Sequence, residues 1–211
     1  MPPTPLLLLL LTIATYAQTS LQDKRDGKIY KTVQIGEQIW MAENLNYDAK
    51  SSVCYDNKPE NCEKYGRLYN WETAMKSCPK GWHLPSNKEW VTLVGFAGGY
   101  ISGYSFAGEK LKSKSGWNNG KRKSGDGTDE YGFSALPGGS GNGTDENRFL
   151  LGGNYRADGS FANAGNCGFW WSSSEDYRGI AYSRGMFSSN DGAYKNSNYK
   201  ARLLSVRCIK D

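Results

Sequence analysis

The sequence predicts one α+β domain, in which two main helices pack beside a twisted antiparallel sheet and long glycine-rich loops. Three observations support this class. The 211 residues include 38% hydrophobic residues, 13% aromatic residues and 26 glycines, a composition that favours short strands and many turns over a helical bundle. Two short segments carry helix signals. No long linker and no second hydrophobic pattern divides the chain, so a single domain is expected.

Residues 1–17 are interpreted as a signal peptide. Leu6–Leu11 form an apolar stretch that is too short to span a bilayer comfortably, and small residues follow it up to Ala17. A buried apolar helix is the alternative, but no polar face accompanies the leucines. Cleavage after Ala17 would leave a domain of residues 18–211, which we expect to be secreted or at the cell surface. No later segment predicts a membrane span.

Two helices are predicted in the middle of the chain. The string "NWETAMKSC" indicates a short helix near 71–77, which ends before Pro79. Ser86 and Glu89 have the three-residue spacing of a capping box, in which each side chain bonds a backbone N–H of the first helical turn. A second helix is therefore predicted near 87–96. Upstream, "IYKTVQIGEQIW" alternates around a turn and predicts an opening hairpin.

The last part of the chain alternates short strands with turns, in the strings "GFWWSSSE", "GIAYSRGMF", "GAYKNSNYK" and "LLSVRCIK". This pattern predicts a β-meander. Because the side chains of a strand alternate between faces, Trp170 and Trp171 should point to opposite sides, so that one is expected in the core and the other could be exposed. An exposed tryptophan could stack on a sugar. The preferred interpretation is that both tryptophans are structural.

Five motifs, taken in chain order, resemble one known family. They are "DGKIYKTVQIGEQIWMAENLNY", "CEKYGRLYNWETAMKSCPKGWHLPSNKEWVTL", "GFSALPGG", "FWWSSSE" and "SVRCIKD". They are similar to the Fibrobacter succinogenes major paralogous domain, from about Asp26 to Asp211. That family is bacterial, secreted or surface-located, and of uncharacterised biochemical role. The resemblance implies a fold related to C-type lectin-like domains and to formylglycine-generating enzymes.

Disulfides are expected among the five cysteines, because an exported chain meets an oxidising compartment, and the odd number leaves at least one thiol free or paired between chains. Cys54 and Cys62 lie in a turn-rich loop, which a disulfide between these two cysteines would close. In lectin-like domains a cysteine of the first helix bridges to one in the final strand, and the resemblance therefore implies the pair Cys78–Cys208. Cys167 is then unpaired within the chain and available for association with another molecule.

The sequence does not predict an enzyme. His83 is a general-base candidate, but no nucleophile motif accompanies it and it lies in a turn, so a packed imidazole is the preferred interpretation. The resemblance to formylglycine-generating enzymes would require two cysteines close in sequence, whereas Cys167 stands alone, which leaves an oxidase as a distant third hypothesis. Nucleic-acid binding is not predicted either, because the basic run of "KRKSGDGTDE" adjoins an acidic one.

Acidic side chains in two similar loops, "GDGTDEYGF" and "GNGTDENRF", are the candidates for a metal site. Carboxylate oxygens suit calcium, although the spacing is not that of an EF-hand loop. A solvated loop without a cofactor is the preferred interpretation, and a calcium site stays open as the alternative. The candidate ligands are Asp126, Asp129, Glu130, Asp145 and Glu146.

These observations predict a non-catalytic recognition module outside the cell that binds a glycan or a protein. The alternative is a structural component of a cell-envelope or extracellular assembly. Binding is expected between about Gly98 and Asn163 or in the loops between the last strands, because loops on a rigid scaffold commonly carry binding residues. The candidate contacts, chosen as aromatic or charged groups beside turns, are Trp117, Tyr155, Trp171, Tyr177, Arg178 and Asp191.

Overall fold

The described part of the chain contains twelve strands, four α-helices and one short 3-10 helix, Tyr55–Asn57. The computed structural model describes residues 18–98, 106–119, 125–143 and 158–211, so the signal-peptide interpretation of residues 1–17 lies outside the described residues. In chain order the elements are β1 (Gln18–Gln22), β2 (Ile29–Ile35), β3 (Gln38–Met41), α1 (Pro59–Tyr65), β4 (Leu68–Tyr69), α2 (Trp71–Ser77), β5 (Trp82–His83), α3 (Asn87–Phe96), α4 (Ala107–Leu111), β6 (Ser140–Asn142), β7 (Phe161–Ala162), β8 (Cys167–Tyr177), β9 (Ile180–Phe187), β10 (Ala193–Tyr199), β11 (Arg202–Ser205) and β12 (Ile209–Lys210).

A five-stranded antiparallel sheet contains both the first and the last described strands, in the order β1-β2-β3-β12-β5. The predicted hairpin is present as β2 and β3, which pair from Thr32↔Met41 to Ile35↔Gln38. The chain turns at Gly36, whose φ of 59° lies in the left-handed region that favours glycine. Because β12 pairs with β3, the last strand lies next to this hairpin.

A second, seven-stranded sheet holds the predicted meander. Its strands follow the order β10-β9-β8-β11-β6-β7, and β4 also pairs with β11. The strands β8, β9 and β10 are consecutive antiparallel neighbours, as the turn signals predicted. Strand β11 departs from the meander, because it lies parallel to β8 with Ser205 opposite Trp170. The described chain therefore has two sheets where the sequence predicted one.

The two main helices occupy their predicted positions. Helix α2 begins after Asn70, whose Oδ1 accepts a hydrogen bond from the Thr73 N–H at 2.9 Å. Helix α3 begins with the predicted capping box, in which the Ser86 hydroxyl and the Glu89 carboxylate each accept from the other residue's N–H, at 3.2 and 2.7 Å. Helix α1 is an addition, since the sequence predicted a turn-rich loop there. None of the helices in the described residues is long and apolar enough to cross a membrane.

Two disulfides tie these elements together. Cys54 and Cys62 join the segment before α1 to α1 itself, with an S–S distance of 2.05 Å. Cys78, at the end of α2, is bonded to Cys208, between β11 and β12, at 2.07 Å. Both pairs are those expected from the sequence and from the family resemblance, and Cys167 is a free cysteine.

Two apolar cores lie on the two faces of β8. Trp170 belongs to the first core together with Trp40, Trp90 and Phe133. The ring centroid of Trp40 lies 4.8 Å from that of Trp90 and 5.8 Å from that of Phe133, and the centroids of Trp90 and Phe133 are 6.0 Å apart. Trp171 belongs to the second core. The predicted alternation is therefore present, and the preferred interpretation that both tryptophans are structural is confirmed, because apolar side chains cover both faces of the strand.

Candidate functional site

Two of the six candidate contacts lie in the core. Trp117 is 4% exposed, and its indole N–H donates to the carbonyl oxygen of Ala135 at 3.0 Å. Trp171 is fully buried and donates to the carbonyl oxygen of Tyr69 at 2.7 Å. Their expected place on a ligand surface is wrong, because apolar neighbours cover each ring and its nitrogen has a backbone acceptor inside the core.

The other described candidates do not form one surface. Tyr177, which is 69% exposed, and Arg178 lie where β8 turns into β9. Asp191 lies beyond the other end of β9, where its carbonyl oxygen accepts from the N–H of Glu109 at 3.1 Å. Strand β9 has eight residues at roughly 3.3 Å each, so the two loops are on the order of 25 Å apart. Tyr155 lies outside the described residues.

The calcium candidates Asp126 and Asp129 accept hydrogen bonds from nearby residues of the chain, and Glu130 pairs with Lys110. Asp126 Oδ1 accepts from the Trp117 N–H at 3.0 Å. Asp129 accepts from the Ser134 N–H at 2.7 Å and from the Ser134 hydroxyl at 2.5 Å. Within the described ranges, no group of three or more His, Cys, Asp or Glu side chains is arranged to hold a metal ion. Asp145 falls outside those ranges, so calcium binding stays a prediction.

A buried ammonium group joins several loops. Lys112 is 1% exposed, and its Nζ donates to the backbone oxygens of Gly125 at 2.8 Å, Asn190 at 3.1 Å and Phe187 at 3.2 Å. The ring of Trp117 lies 5.2 Å from the same Nζ. The Lys112 ammonium therefore connects segments that are distant in sequence. The sequence reasoning missed this residue, because nothing in "KLKSKSG" distinguishes a buried lysine from a solvated one.

Replacing Lys112 with methionine should lower the free energy of unfolding by roughly 3 kcal/mol. Three carbonyl oxygens lose a donor at about 1–3 kcal/mol each, which removal of the buried charge offsets in part. Urea denaturation measures the change. Lys110→Met is the matched control, because its ion pair with Glu130 at 3.2 Å lies at the surface and is worth at most about 1 kcal/mol. Equal stability of the two variants would contradict a structural role for the Lys112 ammonium.

The single histidine is held between two carboxylates. His83 Nδ1 lies 2.7 Å from Asp211 Oδ1, and Nε2 lies 2.8 Å from Glu89 Oε1. Partial burial lowers the pKa of His83, but the hydrogen bonds with Asp211 and Glu89 outweigh burial, so the pKa is raised overall. Because both ring nitrogens are bonded to carboxylates, neither is placed to deprotonate a nucleophile. The imidazole clamps the segment after β12 to the first turn of α3.

This clamp should make the stability of the fold depend on pH. A raised folded-state pKa means that the clamp contributes fully below the ordinary value of about 6.5 and is lost as pH rises through the folded-state pKa. The loss of stability caused by His83→Gln is therefore expected to be larger at about pH 5.5 than at about pH 9. In NMR, the one imidazole of the chain should titrate above its ordinary pKa. A midpoint below that value would refute the clamp.

The described residues also form a groove whose lining carries no charged side chain. It lies between the segment from Ser51 to Asn57 and the paired strands β6 and β7, and β11 contributes to its lining. We call it the amide groove, and the lining residues that matter below are Ser51, Asn57, Asn70, Asn142, Phe161 and Leu203.

Covalent and ionic contacts fix one wall of the amide groove. The Cys54–Cys62 disulfide closes the turn that carries Asn57. The guanidinium of Arg67 donates to Ser52 Oγ at 2.8 Å and to the Ser52 backbone oxygen at 3.0 Å. The same guanidinium pairs with Asp48 at 2.7 Å. This wall is therefore held in place by the fold itself.

The opposite wall is a short ribbon that presents an aromatic ring. Gly141 of β6 pairs with Phe161 of β7 and, on its other side, with Leu203 of β11. A Cβ at Gly141 would lie 3.0 Å from the Phe161 ring, so glycine lets the ring lie close against the strand. Phe161 also packs on Tyr55, with ring centroids 5.4 Å apart. The half-buried ring therefore reaches the groove from a fixed position.

Neighbouring groups set the orientation of two asparagine side chains in the groove. Asn70 Oδ1 accepts from the Thr73 N–H, which leaves its Nδ2 amino group as a donor. Asn142 Nδ2 donates to Ser160 Oγ at 3.0 Å and to Asp158 Oδ1 at 3.2 Å, which leaves its Oδ1 as an acceptor. Hydrogen bonds from Ser160 and Asn142 lower the pKa of Asp158 to about 2, so Asp158 remains an ionised acceptor at neutral pH.

The amide groove coincides in part with the region where the sequence predicted binding. Asn142 and Phe161 lie between Gly98 and Asn163. Ser51 and Asn57 come instead from the turn-rich loop in which the sequence predicted a local disulfide. The sequence signal that could have identified this wall is the combination of turn-forming polar residues with a local disulfide, which together indicate a rigid, exposed loop.

Comparisons with curated proteins and with solved structures find no match for the chain. The family model of the Fibrobacter succinogenes major domain matches residues 33–210, a range that includes the amide groove and both disulfides. The match covers most of the 211 residues and confirms the family that the five motifs resemble. The chain belongs to the Fibrobacter succinogenes major domain family.

Proposed function

We propose that the chain is a recognition module outside the cell, secreted or surface-located, that binds a glycan or a protein in the amide groove without catalysis. The observation that carries the proposal is the groove itself, a concavity that combines apolar side chains with asparagine amides, has no charged side chain among its described lining residues, and has walls held by a disulfide, by Arg67 and by strand pairing. Rigid concave sites with a few oriented polar groups are typical of binding sites.

Two features support a location outside the cytoplasm and a lectin-like scaffold. Paired structural cysteines are typical of oxidising compartments. The Cys78–Cys208 bridge runs from the end of a helix to the last strands, which is the arrangement that the resemblance to lectin-like domains implies.

The chemistry of the described nucleophile and base candidates favours binding over catalysis. Burial raises the pKa of the Cys167 thiol, which reduces the thiolate fraction at neutral pH and works against both an oxidase and easy intermolecular disulfide formation. Both nitrogens of His83 are engaged by carboxylates. A structural component of an extracellular assembly is the alternative function.

Export should remove residues 1–17. Expression of the full chain in a secreting bacterial host is expected to yield a protein whose intact mass begins at Gln18 and includes two disulfides. Cleavage before Gln18 would keep the described strand β1, Gln18–Gln22, in the mature protein. A product that retains Met1, or that accumulates reduced in the cytosol, would contradict the proposed location.

Binding is tested with residues 18–211 on an array that carries both glycans and proteins. Phe161→Ala, which removes the aromatic ring from the groove, should lose the interaction that the wild type shows. Tyr177→Ala is the control, because Tyr177 is exposed at the end of β8 and does not line the groove. Wild-type binding by Phe161→Ala would refute the groove as the site. A chain that binds nothing on the array and self-associates instead would favour the structural alternative.

A further inference from the structure

The chemistry of the amide groove restricts the class of ligand that it can take. Resting on the proposed function, we infer that the groove binds a neutral saccharide. None of the described residues that line the groove has a charged side chain, so a charged ligand would give up hydration without meeting an opposite charge from them. Asp158, which is ionised and accepts a hydrogen bond from the lining residue Asn142, further disfavours an acidic ligand.

The polar groups of the groove match the hydroxyl groups of a sugar. A sugar hydroxyl donates one hydrogen bond and accepts others, so it needs both kinds of partner. The Asn70 Nδ2 group donates, because Oδ1 of the same side chain is used by the cap of α2. The Asn142 Oδ1 atom accepts, because its Nδ2 is used at the rim. Since each orientation is set within the fold, little conformational entropy is lost on binding.

The apolar part of the groove matches the C–H face of a pyranose ring. Phe161 is half-buried and fixed against Tyr55 and Gly141, so one part of its ring is available without rearrangement. Leu203, 7% exposed, contributes a further apolar contact. Aromatic side chains bury large areas at low entropic cost, and a few polar groups beside them then fix the orientation of the ligand.

A peptide would find less to bind in this groove. An extended peptide gains affinity by pairing with an exposed strand edge. Strand β7 lies at the end of the sheet order but contains two residues, Phe161–Ala162, so the ladder it offers is short. The described lining residues likewise offer no charged partner for the charged side chains that are common in peptides.

The test compares neutral and acidic oligosaccharides by isothermal titration against residues 18–211. The probes are oligomers of glucose, mannose, xylose and N-acetylglucosamine, with oligogalacturonate as the acidic probe. Binding of at least one neutral oligomer is expected, with little change in affinity between about 0.05 and about 0.5 M salt, because no charge is paired. Binding restricted to the acidic probe, with strong salt dependence, would overturn the inference.

Asn70→Asp is the decisive variant. Aspartate caps a helix as well as asparagine does, so the bond to the Thr73 N–H and the fold should be kept. The Nδ2 amino group of this lining residue becomes a carboxylate oxygen, and affinity for the neutral oligomer should fall by about tenfold or more. Tyr177→Ala should bind as the wild type does, and circular dichroism melting reports the fold of each variant.

The outcomes separate the inference from the proposed function. A wild-type chain that binds proteins and no saccharide overturns the inference and leaves the recognition module standing. A chain that binds neither class overturns both. A neutral saccharide bound equally by the wild type, Asn70→Asp and Phe161→Ala overturns the assignment to the amide groove, while recognition outside the cell stands.

Discussion

Replacing both Cys78 and Cys208 with alanine should lower the free energy of unfolding by roughly 5 kcal/mol. The bridge joins residues separated by 130 positions, so its loss releases a long loop in the unfolded chain. Domains of this kind are commonly stable by about 5–15 kcal/mol, which makes the expected loss a large part of the total. The variant should therefore be partly unfolded at physiological temperature.

The matched control is the double replacement of Cys54 and Cys62. Their separation is 8, and the same chain-entropy argument gives a loss of roughly 2.5 kcal/mol. Both cysteines of a pair are replaced together, because a single replacement would leave a thiol that could pair with Cys167. Urea denaturation of the wild type and both variants, without reductant, measures the two losses. Equal losses, or a larger loss for the short loop, would contradict the entropic account.

The helices could be predicted because their signals are local. Pro79 follows α2 closely, and Ser86 with Glu89 starts α3, so each boundary is encoded within a few residues. The meander of β8, β9 and β10 is local in the same sense, since each turn lies between the strands that it joins. The Cys78–Cys208 pairing was reached through the family resemblance, because the sequence by itself does not say which distant cysteines meet.

The pairing of strands across the fold could not be predicted in the same way. Strand β11 passes β10 and lies parallel to β8, although the turn before it resembles those of the meander. The two-residue alternation correctly predicted that Trp170 and Trp171 lie on opposite faces of β8. It did not predict that an apolar core covers each face. Burial depends on what the remainder of the chain places against the strand, and a period of two residues carries no such information.

The amide groove combines segments that the sequence keeps far apart. Asn57, Asn142 and Leu203 come from three different parts of the chain, and each alone is an ordinary turn or strand residue. The same holds for Lys112, whose three acceptors lie in two other segments. Such sites exist through tertiary packing, so the sequence could predict a region rich in loops but not the contacts within it.

A buried arginine has the second large expected effect. Arg207 is fully buried, and its guanidinium donates to Asn44 Oδ1 at 2.9 and 3.2 Å and to the Ser134 carbonyl oxygen at 3.2 Å. It also donates to the Phe133 carbonyl oxygen and lies 4.3 Å from the centroid of that ring. Complete burial lowers the pKa of Arg207 to about 9, so the side chain remains charged at neutral pH. The segment between β11 and β12 is thereby attached to two other parts of the core.

Arg207→Met should lower the free energy of unfolding by roughly 3 kcal/mol or more. The buried carbonyl oxygen of Phe133 and the partly buried one of Ser134 would lose this donor, at up to about 1–3 kcal/mol each, and Asn44 would lose two hydrogen bonds. Removal of a buried charge returns part of that cost, as in other buried ionic groups.

Arg207→Lys is the informative companion to Arg207→Met. Lysine keeps the charge but replaces the planar fork with a single ammonium, which cannot reach Asn44, Phe133 and Ser134 together from one position. If the hydrogen bonds are what stabilise the fold, the lysine variant should fall between the wild type and the methionine variant in urea midpoint. If the cost of burying charge dominates, methionine should be the more stable of the two variants, because it has no charge to desolvate. A methionine variant as stable as the wild type would mean that the guanidinium contributes no net stability, despite its complete set of acceptors.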